Sequence, residues 1–318
     1  MDSPRIILGV FLFLIDIKLY SIYNERKELW ELNMKESKVF SLFIILIAYI
    51  VAMAIGIIAY IYIPLEFYFK LLIADVIGTI VIFIFSLILK NASCYDAYWS
   101  VLPMVVVIGY LFTREVNPTR ILISLAVIGW GLRLTINWIY TFDNLSWIDW
   151  RYRMLKEKSK GFYPIINFLG IHLFPTLVVY MCILPLAFVF HYDVTFNAGV
   201  VIFFILAICS FSMQGIADFE MHKFRKNKNS VFIRNGLWKY SRHPNYLGEI
   251  LMWWSIAGLS IFALEENYWL MAGAFINTLM FLFISIPMAE NHQRERKEGF
   301  DEYKSQTRML LPIYKRQK

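Results

Sequence analysis

The chain has 318 residues, 59% of them hydrophobic and 17% charged, with a mean hydropathy of +0.55, which excludes an ordinary soluble domain, where about a quarter of residues are charged. The net charge of +7 follows the basic loops between apolar blocks and calls for no nucleic-acid partner. No G-x-G-x-x-G follows a strand and no G-x-x-x-x-G-K-[ST] occurs, which excludes a soluble nucleotide-binding domain.

In chain order, the first apolar stretch is 6–20. Asp16 and Lys18 interrupt it and no small-residue cleavage site follows. It therefore does not read as a clean cleavable signal, and it adds at most a ninth span. Apolar blocks at 39–63, 71–89, 98–113, 118–139, 164–190, 197–217, 246–263 and 267–288 predict eight membrane helices, because a helix crosses the hydrocarbon in about 20 residues. The expected fold is all-α: a polytopic helical bundle of about eight spans, within a range of seven to nine. Twenty-five Lys and Arg fall on one side of this arrangement, against Lys70, Arg114 and Arg120 on the other. The positive-inside rule then makes both ends and the large loops cytoplasmic. The host membrane would be the plasma membrane in a prokaryote and the endoplasmic reticulum in a eukaryote. Lys315 and Arg316 stand where a retrieval signal would, but they also suit a basic tail.

Cys94, Cys182 and Cys209 lie in or near spans without C-x-x-C spacing, as free thiols that pack like small hydrophobes. Five scattered His residues form no metal-binding box. No metal site is expected.

Five polar constellations interrupt the apolar pattern, besides a lone Asp75 in the second block. The first is Asp96 in SCYDAYWSVLP; with Tyr98 it offers a proton donor at a span entrance, or else a helix cap. Arg133 and Asn137 stand four apart within the fourth block, and an intramembrane Arg faces the bundle interior or a wet cavity. Asp149, Arg151 and Arg153 follow in WIDWRYR. Gln214, Asp218, His222 and Arg225 are spaced 4, 4 and 3, one face of a helix leaving the membrane. That stripe suits a ribose at Asp218 and a phosphate at Arg225, or else a solvated face with an Asp218–His222 pair. In GLWKYSRHPNYLGE, residues 236–249, Pro244 begins a helix and Asn245, Gly248 and Glu249 share its face. Gly248 leaves room for a flat group, and the helix N-terminus with Lys239, Arg242 and His243 suits phosphate. Interfacial anchoring accounts for Trp238 and Tyr240 but not for Asn245 and Glu249. The last span ends in PMAENHQRE, with Glu290 and His292 as candidates against a plain snorkelling helix end.

GLWKYSRHPNYLGE, the upstream Q-x-x-x-D-x-x-x-x-x-x-R, the downstream PMAENHQRE…YKSQTRMLLP, DAYWS and WGLRLTINW…WIDWRYRM together resemble the steroid 5-alpha-reductase superfamily, over roughly residues 90–315. The resemblance is greatest to a microbial branch long described as a domain of unknown function. It implies a bundle of about seven helices with NADPH in a cavity open to the cytoplasm. It places Gln214, Asp218, Arg225, Asn245, Glu249 and His292 at the cofactor pocket. Gln214 stands where the steroid enzymes carry Asn, and Tyr246 where they carry Phe. Their catalytic acid lies in a Gln-Glu-Leu-Pro-Ser context, and the comparable stretch here is Asp96–Ser100. Residues 1–89, with two spans, have no counterpart; 90–318 form the reductase-like domain. Isoprenylcysteine and phospholipid methyltransferases, which bind S-adenosylmethionine, carry a similar R-H-P-x-Y-x-G.

The resulting expectation is hydride transfer from NADPH to a carbon–carbon double bond of a lipid-like substrate. Asn245 and Glu249 serve the nicotinamide end, and Asp218 a ribose. Arg225, Lys239, Arg242 and His243 serve phosphates, and Asp96 or Tyr98 is the acid. Arg133, Asn137, His222, Tyr240, Tyr246, Glu290 and His292 complete the cofactor pocket, with Glu249 also counted as catalytic. The rivals are an S-adenosylmethionine-dependent methyltransferase and a non-catalytic membrane scaffold.

Overall fold

The computed structural model describes residues 36–227, 230–265 and 267–311. The stretch at 6–20, the basic residues Arg26, Lys27 and Lys35, and the terminal Lys315–Lys318 lie outside the described residues. Besides the four-residue helical turn Tyr163–Ile166, the helices are α1 Lys38–Tyr62, α2 Phe67–Leu89, α3 Tyr98–Thr113, α4 Pro118–Thr141, α5 Trp150–Ser159, α6 Phe174–His191, α7 Ala198–Asn227, α8 Pro244–Leu264, α9 Ala272–Met280, α10 Ile286–Arg296 and α11 Phe300–Gln306. Among the described residues there is no strand, only a bridge between Ser241 and Arg308.

Eight helical segments are long and apolar enough to cross a membrane, and they coincide with the eight apolar blocks. Two of them contain a π-helical turn. A π-helical turn at Asn167–Leu173 leads into α6, and another at Phe281–Ser285 joins α9 to α10. α7 runs for 30 residues, longer than a bilayer requires, so its last turns carry Asp218, His222 and Arg225 out toward the basic loops.

Local chemistry sets the boundaries. Asn117 accepts from the Arg120 backbone N–H at 3.0 Å, and Pro118 fills the first turn of α4. Asp149 caps α5 by accepting from the Arg151 N–H at 2.9 Å. Pro244 opens α8, where its missing N–H costs nothing.

α7 and α8 form the closest helix pair, because glycines let the backbones approach. A Cβ on Gly248 would collide with Gln214 Cγ and stand 2.7 Å from the Ser210 carbonyl oxygen, and one on Gly258 would run into the Phe203 ring. The main core gathers Trp130, Val127, Met252, Ile256 and Leu259 between α4, α6 and α8. α1 and α2 attach through Ile45, Ala48, Ala52 and Ile82, and the Tyr49 hydroxyl donates to the Cys94 carbonyl at 2.7 Å. Phe43, Ile50, Ile58, Ile84 and Phe283 stay exposed, as the lipid-facing side of a membrane bundle requires.

Candidate functional site

Two sequence stripes meet as a ladder. Arg133 and Asn137, one turn apart on α4, face Asp218 and His222, one turn apart on α7. The Arg133 Nη1–H donates to Asp218 Oδ2 at 2.7 Å. His222 Nε2 lies 2.7 Å from Asn137 Oδ1. The Tyr140 ring meets His222 edge-on, with centroids 4.8 Å apart. Asp218 therefore pairs with Arg133 and not with His222, which removes the alternative of a solvated face with an Asp218–His222 pair: the i, i+4 neighbour loses to a guanidinium across the helix contact. Asn245, in the first turn of α8, also reaches Asp218. Arg225 stands exposed one turn beyond His222.

Glu249 closes the inner end of this ladder. It is 5% exposed, and two indoles hold its carboxylate: Trp130 Nε1–H donates to Oε2 and Trp253 Nε1–H to Oε1, both at 2.9 Å. Arg133 Nη2 lies 4.0 Å from Oε2, so one guanidinium serves both acids. A buried acid needs such partners. Gln214 stands beside Glu249 and is 1% exposed, yet neither atom of its amide reaches a partner in hydrogen-bond geometry; nor does Arg133 Nε. Buried polar groups are rarely left unsatisfied, so a buried amide beside Glu249 with hydrogen-bonding capacity to spare fits a site for a polar guest. Gly248 leaves no room for a flat group there: Gln214 and the Ser210 carbonyl fill the space that its missing side chain leaves.

Arg242 and His243 turn the other way. Glu290 Oε1 accepts from Arg242 Nε at 2.8 Å and Nη2 at 2.7 Å, and Lys304 Nζ donates to Oε2 at 2.8 Å. His243 Nε2 lies 3.2 Å from Glu290 Oε1. Arg242 Nη1 donates to the carbonyls of Thr307 and Lys304, and the Arg242 backbone N–H to the Arg308 carbonyl. These bonds latch the segment after α10 under the start of α8. All three guanidinium nitrogens of Arg242 are used, which leaves Arg225 and Lys239 as the exposed cations of the predicted phosphate set. Burial pushes the His243 imidazole below the usual histidine range, although Glu290 pulls it up. Lys239 lies over the Tyr240 ring at 5.6 Å.

Asp96 and Tyr98, two residues apart, look in different directions. Tyr152 donates to Asp96 Oδ1, and Arg151 Nη2 lies 3.6 Å from the same oxygen while its Nε bonds Asp149 at 2.8 Å. The Tyr98 hydroxyl instead points at α2, against Gly78 and Thr79. Tyr246 stacks on His243 at 5.3 Å and stands within electrostatic reach of Asp149 and Arg151 on one side and Asp218 on the other. His292 stacks on Trp150 at 3.7 Å. The predicted residues thus form an inner polar cluster (Arg133, Asn137, Gln214, Asp218, His222, Asn245, Glu249), a latch (Arg242, His243, Glu290) and a rim at WIDWR. Sequence reasoning missed Trp130, Trp253 and Tyr152. Trp253 sits four residues after Glu249 and Trp130 three before Arg133, so helical spacing from the polar anchors would have found both. Among the described residues no group of three His, Cys, Asp or Glu stands close enough to hold a metal.

The model of a family described as "Protein of unknown function (DUF1295)" matches residues 82–307. An uncharacterized protein of Schizosaccharomyces pombe, C594.04c, is 26% identical over 194 residues, which is 52% of this chain and 56% of that protein. The chain therefore spans about half the length of that relative. No solved structure matches the chain.

Proposed function

The chain belongs to the DUF1295 family, and from that premise we propose a membrane oxidoreductase that takes a hydride from NADPH to a carbon–carbon double bond of a lipid-like substrate. The observation that carries this reading is the fully buried Gln214 amide beside Glu249, whose carboxylate lies 4.0 Å from the Arg133 guanidinium. The Gln214 amide and the Glu249 carboxylate would offer a carboxamide a donor and an acceptor once Gln214 turns out of the space beside Gly248. The resemblance to the steroid 5-alpha-reductase superfamily points the same way.

When bound, NADPH supplies the hydride. The chain's own residues do the rest. Glu249, Gln214 and Asn245 orient the reacting ring, with Trp130 and Trp253 fixing the Glu249 carboxylate. Arg133 holds Asp218 in place for a ribose hydroxyl. Arg225 and Lys239, both exposed, would hold the phosphates. Asp96, hydrogen-bonded by Tyr152, is the acid best placed at the rim to meet a substrate carbonyl. The apolar side of the α7–α8 contact carries a groove of about 270 Å³ lined by Phe203, Leu206, Cys209, Met213, Leu251 and Trp254. It gives a lipid tail a lateral approach from the bilayer.

Thermal stability of the purified protein with NADPH, NADH and S-adenosylmethionine in parallel tests this function. A ligand at about 100 times its Kd adds about 2.7 kcal/mol. A shift with a nicotinamide cofactor that Glu249→Ala abolishes is expected. A shift with S-adenosylmethionine alone would replace the reductase by a methyltransferase, and no shift in a folded sample would leave a scaffold.

A further inference from the structure

Asp75, in the middle of α2, is 2% exposed, and neither of its carboxyl oxygens has a hydrogen-bond partner. It takes no part in the cluster around Glu249. Tyr95, Tyr98 and Tyr180 stand within electrostatic reach of it. One turn along α2, Thr79 Oγ1 lies 2.8 Å from Thr176 Oγ1 on α6. Thr176 Oγ1 in turn lies 2.7 Å from the Tyr95 hydroxyl, and the Tyr98 hydroxyl reaches Thr79 from the other side. One turn before Thr176 comes His172, in the π-helical segment and fully buried. Its ring lies 4.8 Å from that of Tyr95. His172 Nδ1–H faces the Asn167 carbonyl at 2.9 Å, while Nε2 has no partner.

α2 and α6 belong to the second and fifth spans and so run in opposite directions. Asp75 and His172 therefore lie on opposite sides of the Thr79–Thr176 contact, with His172 nearer the basic loops. Between these two titratable groups the Tyr95, Thr176 and Thr79 hydroxyls are in mutual contact, and Thr176 Oγ1 also donates to the His172 carbonyl at 2.9 Å.

We propose that His172, Tyr95, Thr176, Thr79, Tyr98 and Asp75 form a proton relay inside the bundle, with Asp75 as its store. Each hydroxyl can accept a proton on a lone pair and release its own. One proton then enters at His172 and one is held at Asp75, O–H bonds break and form in equal number, and nothing is oxidised. An uncompensated carboxylate at membrane depth is expensive. Both Asp75 oxygens are enclosed, so a proton is the one cation that the site has room for. Chains of acids, hydroxyls and histidines are how membrane proteins carry protons past apolar surroundings, and π-helical turns gather at such sites. A reaction that consumes a proton with each hydride would draw on this store. That destination rests on the reductase reading, but the relay does not.

Infrared difference spectra test it without cofactor or substrate, so its failure is separate from that of the reductase. The wild type minus Asp75→Asn should show a carboxylic-acid carbonyl band, and the band should shift when the solvent is changed to D2O. Tyr95→Phe keeps the ring against His172 and Thr79→Val keeps the volume; each should slow that shift by at least about tenfold, a barrier raised by about 1.4 kcal/mol. Thermal melts confirm that each variant is folded, and either variant alone suffices. A wild type with no acid band assigned to Asp75, a band that never exchanges, or equal exchange in wild type and hydroxyl-free variants would overturn the relay.

Discussion

Arg133 and Asp218 meet at 2.7 Å across a separation of 85 residues, and one turn away Asn137 and His222 repeat the contact at the same separation and the same 2.7 Å. Two helices thereby share a polar ladder at the membrane edge. Removing one partner of a buried ion pair costs about 3–5 kcal/mol, because the other charge is left uncompensated. The Arg133 and Asp218 side chains keep 16% and 15% exposure, so Arg133→Met should cost somewhat less, about 2–3 kcal/mol. Arg133 also stands 4.0 Å from Glu249, so Asp218→Asn should restore only part of that loss in the double variant. Denaturant titration of both singles and the double checks this, and strict additivity would dissolve the ladder.

Trp253→Phe keeps an aromatic ring against Trp130, now 4.8 Å away, and removes the N–H that Glu249 Oε1 accepts. An acceptor left dry and unpaired costs about 1–3 kcal/mol. The variant should melt lower and lose cofactor affinity together. A lower melt with unchanged affinity would separate Glu249 from the binding site.

Gly248→Ala tests the packing of the same corner. The new methyl would stand 2.7 Å from the Ser210 carbonyl, which is backbone and cannot rotate away. Overpacking of this kind costs about 1–3 kcal/mol. Thermal melting should report it, whereas an open slot at Gly248 would leave stability unchanged.

The eight spans were legible because their signal is composition over about 20 residues, which no tertiary contact can disguise. The stripes were legible too: 133/137 and 214/218/222/225 follow from helical spacing alone. Their partners were not. Periodicity says which residues share a face and is silent on which face looks at which, so spacing offers Asp218 only His222 as a neighbour and never Arg133. Arg242 shows the same limit. A basic residue before a helix start reads as an anion ligand, and only the fold brings Glu290 and the carbonyls of Lys304 and Thr307 to claim it.

The latch should weaken in acid through His243. Its imidazole sits below the usual histidine range in the folded protein, because burial disfavours the cation while Arg242 and Lys304 add repulsion and Glu290 opposes them. The unfolded chain, with an ordinary value of about 6.5, then binds the proton more readily than the folded one. Stability from this group is therefore complete above about pH 6.5 and is lost as the pH falls below it. The gap in melting temperature between wild type and His243→Gln should be constant above neutrality and should close in favour of the variant below it. A gap that does not change with pH would mean that His243 ionises as freely in the fold as in solution.

Cys209 offers the approach to the α7–α8 groove a native probe, since Cys94 and Cys182 are buried and Cys209 is exposed. A fluorescent maleimide should react at Cys209 well before the other two. Once attached, it should be quenched by phospholipids brominated along their acyl chains and not by a water-soluble quencher, because the serine hydroxyls in that wall, Ser210 and Ser255, are already bonded to the carbonyls of Leu206 and Leu251 and offer nothing to water. Leu251→Trp should fill the groove and lower the lipid quenching with little change in melting temperature, as lipid-facing positions tolerate bulk. Quenching by the aqueous agent instead would put the groove outside the bilayer and remove it as the route for a lipid tail.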